Sequence, residues 1–101
     1  MGFKHPQDCQ TLEEIRNEID KIDEHIISLF SERHKYVEAI VRFKHDKDAV
    51  IAQERKDKVI LQRKEWAKQK GLNADTFEKL YTLLIDSNIQ HELELLKQKN
   101  N

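Results

Sequence analysis

From Thr11 to Lys44 the chain runs without a proline or a glycine. Apolar residues recur along it at alternating steps of three and four: Leu12, Ile15, Ile19, Ile22, Ile26 and Leu29, then Tyr36 and Ile40. That period belongs to one unbroken α-helix with a heptad-like apolar seam. Such a helix spans roughly 50 Å at about 1.5 Å per residue, more than the width of a compact globule of this chain length. The spacing therefore predicts a helix that outreaches its own monomer and is covered by oligomerisation. The seam has one gap. The step after Leu29 lands on Arg33, an always-charged guanidinium that is costly on a buried seam unless an anion meets it.

The remainder of the chain reads as helix too. With 38% hydrophobic and 37% charged residues, 2 Gly and 1 Pro among 101 residues, the composition fits a single all-α domain rich in surface ion pairs. Residues 1–10 read as an extended arm, because Pro6 disfavours helix. Thr11 and Glu14 have capping-box spacing at the start of the long helix, predicted over 11–44. His45 to Val50 is short and polar and reads as a mobile loop, with Asp48 a candidate cap for the next helix. That second helix is predicted over 51–70 and stops at Gly71. Asn73 caps a third, over 74–97, and Leu72 with Phe77 has hydrophobic-staple spacing. The residues after Lys97 read as frayed. On the third helix Asn88 and Glu92 interrupt a stripe made of Phe77, Leu80, Tyr81, Leu84, Ile85, Ile89, Leu93 and Leu96.

Several function classes are disfavoured. The formal net charge of −1 gives no basic footprint for nucleic acid, and no stacking aromatics interleave the cations of the first helix. No 18-residue apolar run predicts a membrane span. The opening MGFKHP lacks the apolar core of a signal peptide, and Pro6 stands where Gly2 myristoylation wants Ser or Thr. The single Cys9 cannot form an internal disulfide and fits a reducing cytosol. The five histidines show no metal-site spacing, and no phosphate loop or nucleophilic triad stands out. No metal or cofactor is expected.

The cations of the long helix carry a sharper signal. On a straight helix Arg33 and Lys44, eleven residues apart, differ by only about 20° and lie roughly 16 Å apart along the axis. Two such side chains can grip one anionic ligand. Arg16 lies some 34 Å from their midpoint and cannot reach it within one chain. If two copies of the helix cross antiparallel near Ile27, Arg16 of one falls beside the Arg33–Lys44 gap of the other. A two-fold dimer would then hold two sites for a small dicarboxylate, each built from both chains. The competing reading pairs Arg33 with an acid of a neighbouring helix and makes the chain a non-catalytic helical dimerisation module.

At these residues the chain resembles the all-helical chorismate mutase family. The pattern is Ile15 and Arg16, then Ile19, Asp20, Ile22 and Asp23, then Glu32 and Arg33, Lys44, Glu54 and Arg55. It closes with the helix bearing Phe77, Leu84, Ile85 and Glu92, and covers about Pro6 to Leu96. The likeness is greatest to the salicylate-forming isochorismate-pyruvate lyase branch: Pro6, Asp8 and Cys9 before the helix, Arg42, Phe43 and Lys44 ending it, and Trp66 and Ala67 leading to Gly71 and Leu72. The resemblance implies an intertwined homodimer. It implies that Arg33 and Lys44 bind the substrate carboxylates and ether oxygen, that Arg16 comes from the partner chain, and that Glu54 meets the ring hydroxyl. Gln53, Asn88 and Glu92 complete the expected site.

Two positions depart from the family pattern. Typical mutases carry an arginine where this chain has Gln53, and the lyase branch also lacks it. Both branches usually place glutamine where this chain has Glu92, although some eukaryotic mutases have glutamate there. A pericyclic reaction needs no nucleophile, metal or base, which agrees with their absence from the motifs above.

Overall fold

The computed structural model describes residues 2–100. Every regular element among them is helical: α1 (Leu12–Ala39), α2 (Lys47–Ile51), α3 (Gln53–Gln69) and α4 (Ala74–Lys99), with 3-10 turns at Pro6–Asp8 and Ile40–Phe43. None of these helices is long and apolar enough to cross a membrane. The chain divides into two compact units, Met1–Tyr36 and Val37–Asn101.

The first unit is most of α1 with the N-terminal arm folded back along it. Thr11 Oγ1 accepts from the Glu14 N–H at 3.1 Å, which caps the helix. The Glu14 carboxylate reaches one residue further back than a capping box does and accepts from the Gln10 N–H at 2.7 Å. It also receives the Lys4 ammonium at 3.3 Å, and the Lys4 N–H donates to Glu18 at 3.2 Å. The arm is thus not simply extended. Its Pro6–Asp8 turn uses the fixed φ of proline to start a 3-10 bend that lets the chain double back. The Gln10 N–H, then Lys4, hold the Glu14 carboxyl below its usual 4.5. The Lys4 N–H, then Lys21, do the same for Glu18. The sign is that of a stabilised carboxylate: the arm contacts are present above pH 4.5 and are lost as pH falls through the lowered values.

The apolar seam of α1 faces outward. From Leu12 to Leu29 its six aliphatic residues are between 38% (Ile22) and 61% (Leu12) exposed, and Ile27 is 67% exposed. Contiguous apolar exposure of this extent marks an interaction face rather than ordinary surface.

The second unit is built on α4. Asn73 accepts from the Thr76 N–H and starts the helix. Gly71, at φ 76°, closes α3 just before it. α3 packs antiparallel along α4. Lys56 pairs with Asp86, Arg63 lies 5.9 Å from the Tyr81 ring centre, and Lys64 pairs with Glu78 and Asp75. At the other end of α4, Leu96 is buried with Val41 and Val50, flanked by Ile89, Leu93 and Leu95. Val41 brings in the 3-10 turn and Val50 brings in α2.

The connection between the first and second long helices differs from its sequence reading. α1 ends at Ala39, the turn Ile40–Phe43 tightens, and Lys44 is extended at φ −107°, ψ 129°. The expected mobile loop over His45–Val50 contains the helix α2. Its cap is Asp46, not Asp48: the Asp46 carboxylate accepts from the Ala49 N–H at 2.8 Å. Burial of Val50 supplies the anchor that a polar hexapeptide lacks by itself. The second helix does not run on from Ile51 either. Ala52 adopts the left-handed conformation, φ 42° and ψ 57°, and separates α2 from α3. The tail beyond Lys97 is also helical, through Lys99.

Candidate active site

The sequence-derived residues fall on both units. Arg16 and Arg33 belong to α1. Arg16 is exposed and Arg33 half-buried. Seventeen residues separate them, roughly 25 Å of helix at about 1.5 Å per residue, so the two guanidinium groups of one chain cannot close on one small ligand.

Lys44, Gln53, Glu54, Asn88 and Glu92 belong to the second unit. The uniform helical geometry expected for Lys44 does not hold, because the backbone leaves the α-helix at Ala39 and is extended at Lys44. Lys44 is half-buried, and its ammonium donates to the Ala49 carbonyl at 2.7 Å. That carbonyl lies in the last turn of α2, where carbonyls lack helical donors and carry partial negative charge.

Asn88 and Glu92 stand one turn apart on α4, each only 8% exposed. A buried amide and carboxyl are tolerated only where their hydrogen bonds are made. Among the described residues no buried side-chain nitrogen or oxygen lacks a partner. The two polar residues lie between the points where α4 meets its neighbours: Asp86, which pairs with the first turns of α3, and Leu96, which meets Val41 and Val50. The segment from Val50 to Lys56, with Ala52 in it, therefore runs past the stretch of α4 that bears them.

Gln53 and Glu54 open α3 directly after Ala52. The Gln53 amide donates to Asp57 at 2.9 Å, and Glu54 lies 3.6 Å from Lys58. Both side chains are exposed, and with Ala52, Arg55 and Lys58 they line an open groove. The left-handed Ala52 sets the direction in which they leave the α2–α3 junction.

Chemically, this unit offers a cation on a short turn, a buried amide and carboxyl, and an exposed polar groove at a helix start. α1 supplies two arginines on a separate unit. The residues from Ile15 to Leu93 match the model of chorismate mutase type II. The chain belongs to the chorismate mutase type II family. It is also 36% identical over 96 residues to the isochorismate pyruvate lyase of Pseudomonas aeruginosa, covering 95% of each chain. The match contains all seven candidate residues, since Arg16 is the first of them and Glu92 the last. Two features of this family member carry no mark in its sequence. At Ala52 nothing local announces the turn, since glycine is the usual bearer of a left-handed conformation. Lys99 reads as an ordinary last-turn lysine, yet its ammonium lies on the Val41, Arg42 and Lys44 carbonyls.

Proposed function

We propose that the chain is a pericyclic enzyme acting on chorismate-type dianions, with isochorismate-pyruvate lyase as the leading activity and chorismate mutase as the second. The observation that carries this reading is the 36% identity to an isochorismate pyruvate lyase over 95% of both chains. Gln53 favours the lyase over the mutase, because it places a neutral amide where typical mutases carry an arginine.

In the mutase reaction the enolpyruvyl side chain shifts in one step: its methylene carbon bonds to a ring carbon as the ether bond between its oxygen and another ring carbon breaks. In the lyase reaction a ring hydrogen passes to the enolpyruvyl methylene as the same kind of ether bond breaks, leaving salicylate and pyruvate. Neither needs a nucleophile or an external base. The protein must hold a flexible dianion in its cyclic, reactive shape. It must also stabilise negative charge growing on the ether oxygen. Arg33, with Arg16 of a second chain, grips the carboxylates through bidentate pairs. Lys44 leaves the Ala49 carbonyl and meets the ether oxygen. Glu54 and Gln53 address the ring end, and Asn88 binds substrate beside Glu92. Glu92 assists the ether oxygen as a neutral donor, since an ionised carboxylate would repel the charge forming there.

This reading requires a homodimer. Its support is the outward apolar seam of α1, whose half-exposed aliphatic residues would each gain on the order of 1 kcal/mol on burial, and the roughly 25 Å of helix that keeps Arg16 from its own chain's Arg33. Under the competing reading, a non-catalytic dimerisation module, the same seam is covered but the cations serve only structure. Thermal unfolding with a stable bicyclic dicarboxylate analogue separates the two. An enzyme site that binds the folded state raises Tm by several degrees at saturating ligand. An unchanged Tm supports the inert module.

A further inference from the structure

Lys99 is the last residue of α4. A lysine there ordinarily matches its own helix dipole and extends into water. Here the ammonium reaches a segment more than fifty residues earlier. It donates to the carbonyls of Val41 at 3.2 Å, Arg42 at 3.4 Å and Lys44 at 3.2 Å. An ammonium has three protons, and all three find acceptors. These acceptors close the first long helical stretch, where carbonyls run out of helical donors. The Val41 carbonyl also receives a backbone donor, the Lys44 N–H at 3.1 Å. The Lys99 stem lines a groove with Val41 and Leu95, and Leu96, three residues earlier, is buried against Val41 and Val50. The register of α4 is thereby fixed where the ammonium leaves it.

Lys44 is consequently held at two points. Its backbone carbonyl is held by Lys99, and its side chain rests on the Ala49 carbonyl. A ligand need displace only the second contact. We propose that Lys99 is a positioning residue for Lys44: it clamps the turn from which the Lys44 side chain departs, so that the ammonium swings between Ala49 and the substrate from a fixed base. The proposal rests on Lys44 acting at the ether oxygen. Lys99 itself does not touch substrate.

The experiment compares full-length Lys99→Met, Lys99→Arg, Lys44→Met and the Lys99→Met/Lys44→Met double variant with isochorismate and chorismate. Methionine keeps the apolar stem and removes the donors. In Lys99→Met, kcat is expected to fall on the order of tenfold to a hundredfold, the scale of a misplaced catalytic group. KM is expected to change much less, and the Lys44 amide to exchange faster. Lys99→Arg, which keeps donors at the same reach, recovers most of kcat. In the Lys44→Met background, Lys99→Met costs nothing further, because the two act as one unit. Lys99→Gln, with two donors on a shorter stem, gives an intermediate loss and replaces Lys99→Met should that variant not fold. Unchanged kcat and unchanged Lys44 exchange in folded Lys99→Met, beside an inactive Lys44→Met, overturn the clamp and leave the Lys44 assignment standing. Additive losses in the double variant overturn it as well. Full turnover by Lys44→Met overturns the Lys44 assignment itself, and the clamp with it.

Discussion

The Lys44 ammonium lies 2.7 Å from the carbonyl oxygen of Ala49, five residues further along the chain. The side chain proposed to meet the substrate therefore rests against the last turn of α2, and on that proposal binding would exchange one oxygen acceptor for another. α2 is short and depends on its Asp46 cap. A bicyclic dicarboxylate is expected to slow amide exchange across residues 46–52 as Lys44 and the segment close on it. Asp46→Ala, which removes a cap worth about 1 kcal/mol, should speed exchange in the same residues without ligand. Identical exchange with and without ligand would contradict closure of residues 46–52 on the substrate.

Arg33→Ala should nearly abolish turnover in a chain that still folds. Arg16→Ala should do the same, through the partner's site. Mixing the two inactive variants tests the shared site directly. A heterodimer of them contains one site with both arginines and one with neither. After subunit exchange at equal amounts, about a quarter of wild-type activity should return, since half the dimers carry one intact site of two. Activity that does not return on mixing would contradict a site built from Arg16 and Arg33 of two chains.

Glu92 sets the expected pH dependence. Only its neutral form can donate a hydrogen bond, and the neutral fraction falls as pH rises through its pKa. Its burial on α4 favours the neutral form. Turnover should rise toward acidic pH, down to the range where the Glu14 and Glu18 contacts of the N-terminal arm begin to fail. Glu92→Gln, a permanent donor of similar shape, should flatten the profile. A profile that is the same in wild type and Glu92→Gln would rule out this role.

Ala52 carries a left-handed backbone that costs a non-glycine residue about 1–2 kcal/mol. Ala52→Gly removes the strain, against a gain in unfolded-chain freedom, and should stabilise the fold by up to about 1 kcal/mol. Ala52→Val should destabilise it by about 1–2 kcal/mol or more, because a β-branched side chain crowds this conformation further. Urea unfolding should rank glycine above alanine and alanine above valine. Equal stability of all three would mean that the strain at the α2–α3 junction is not stored in the native state.

The helices were legible in the sequence because their signals are local. The seam from Leu12 to Leu29, the Thr11 and Asn73 caps and the stop at Gly71 each involve residues within one or two turns. Asn88 and Glu92 were legible as candidates because they interrupt an apolar stripe, and they prove to be buried. The path between Ala39 and Gln53 was not legible, for physical reasons. Asp46 and Asp48 are both competent caps, and the choice is made by Val50 packing with Leu96, a contact across the fold. The end of the α-helix at Ala39 has no proline or glycine to announce it. The Lys44 side chain consequently leaves an extended backbone and not the helix face that the apolar period implies. Lys99 reads as part of a frayed end in the sequence because its partners, the Val41, Arg42 and Lys44 carbonyls, are brought to it only by the packing of α4.

Product analysis with purified protein and separate supplies of isochorismate and chorismate tests the central claim most directly. The expected result is conversion of isochorismate to salicylate and pyruvate in equal amounts without added metal or cofactor, with slower conversion of chorismate to prephenate. Turnover of neither substrate by a folded, dimeric protein would contradict the account and leave the helical dimerisation module in its place.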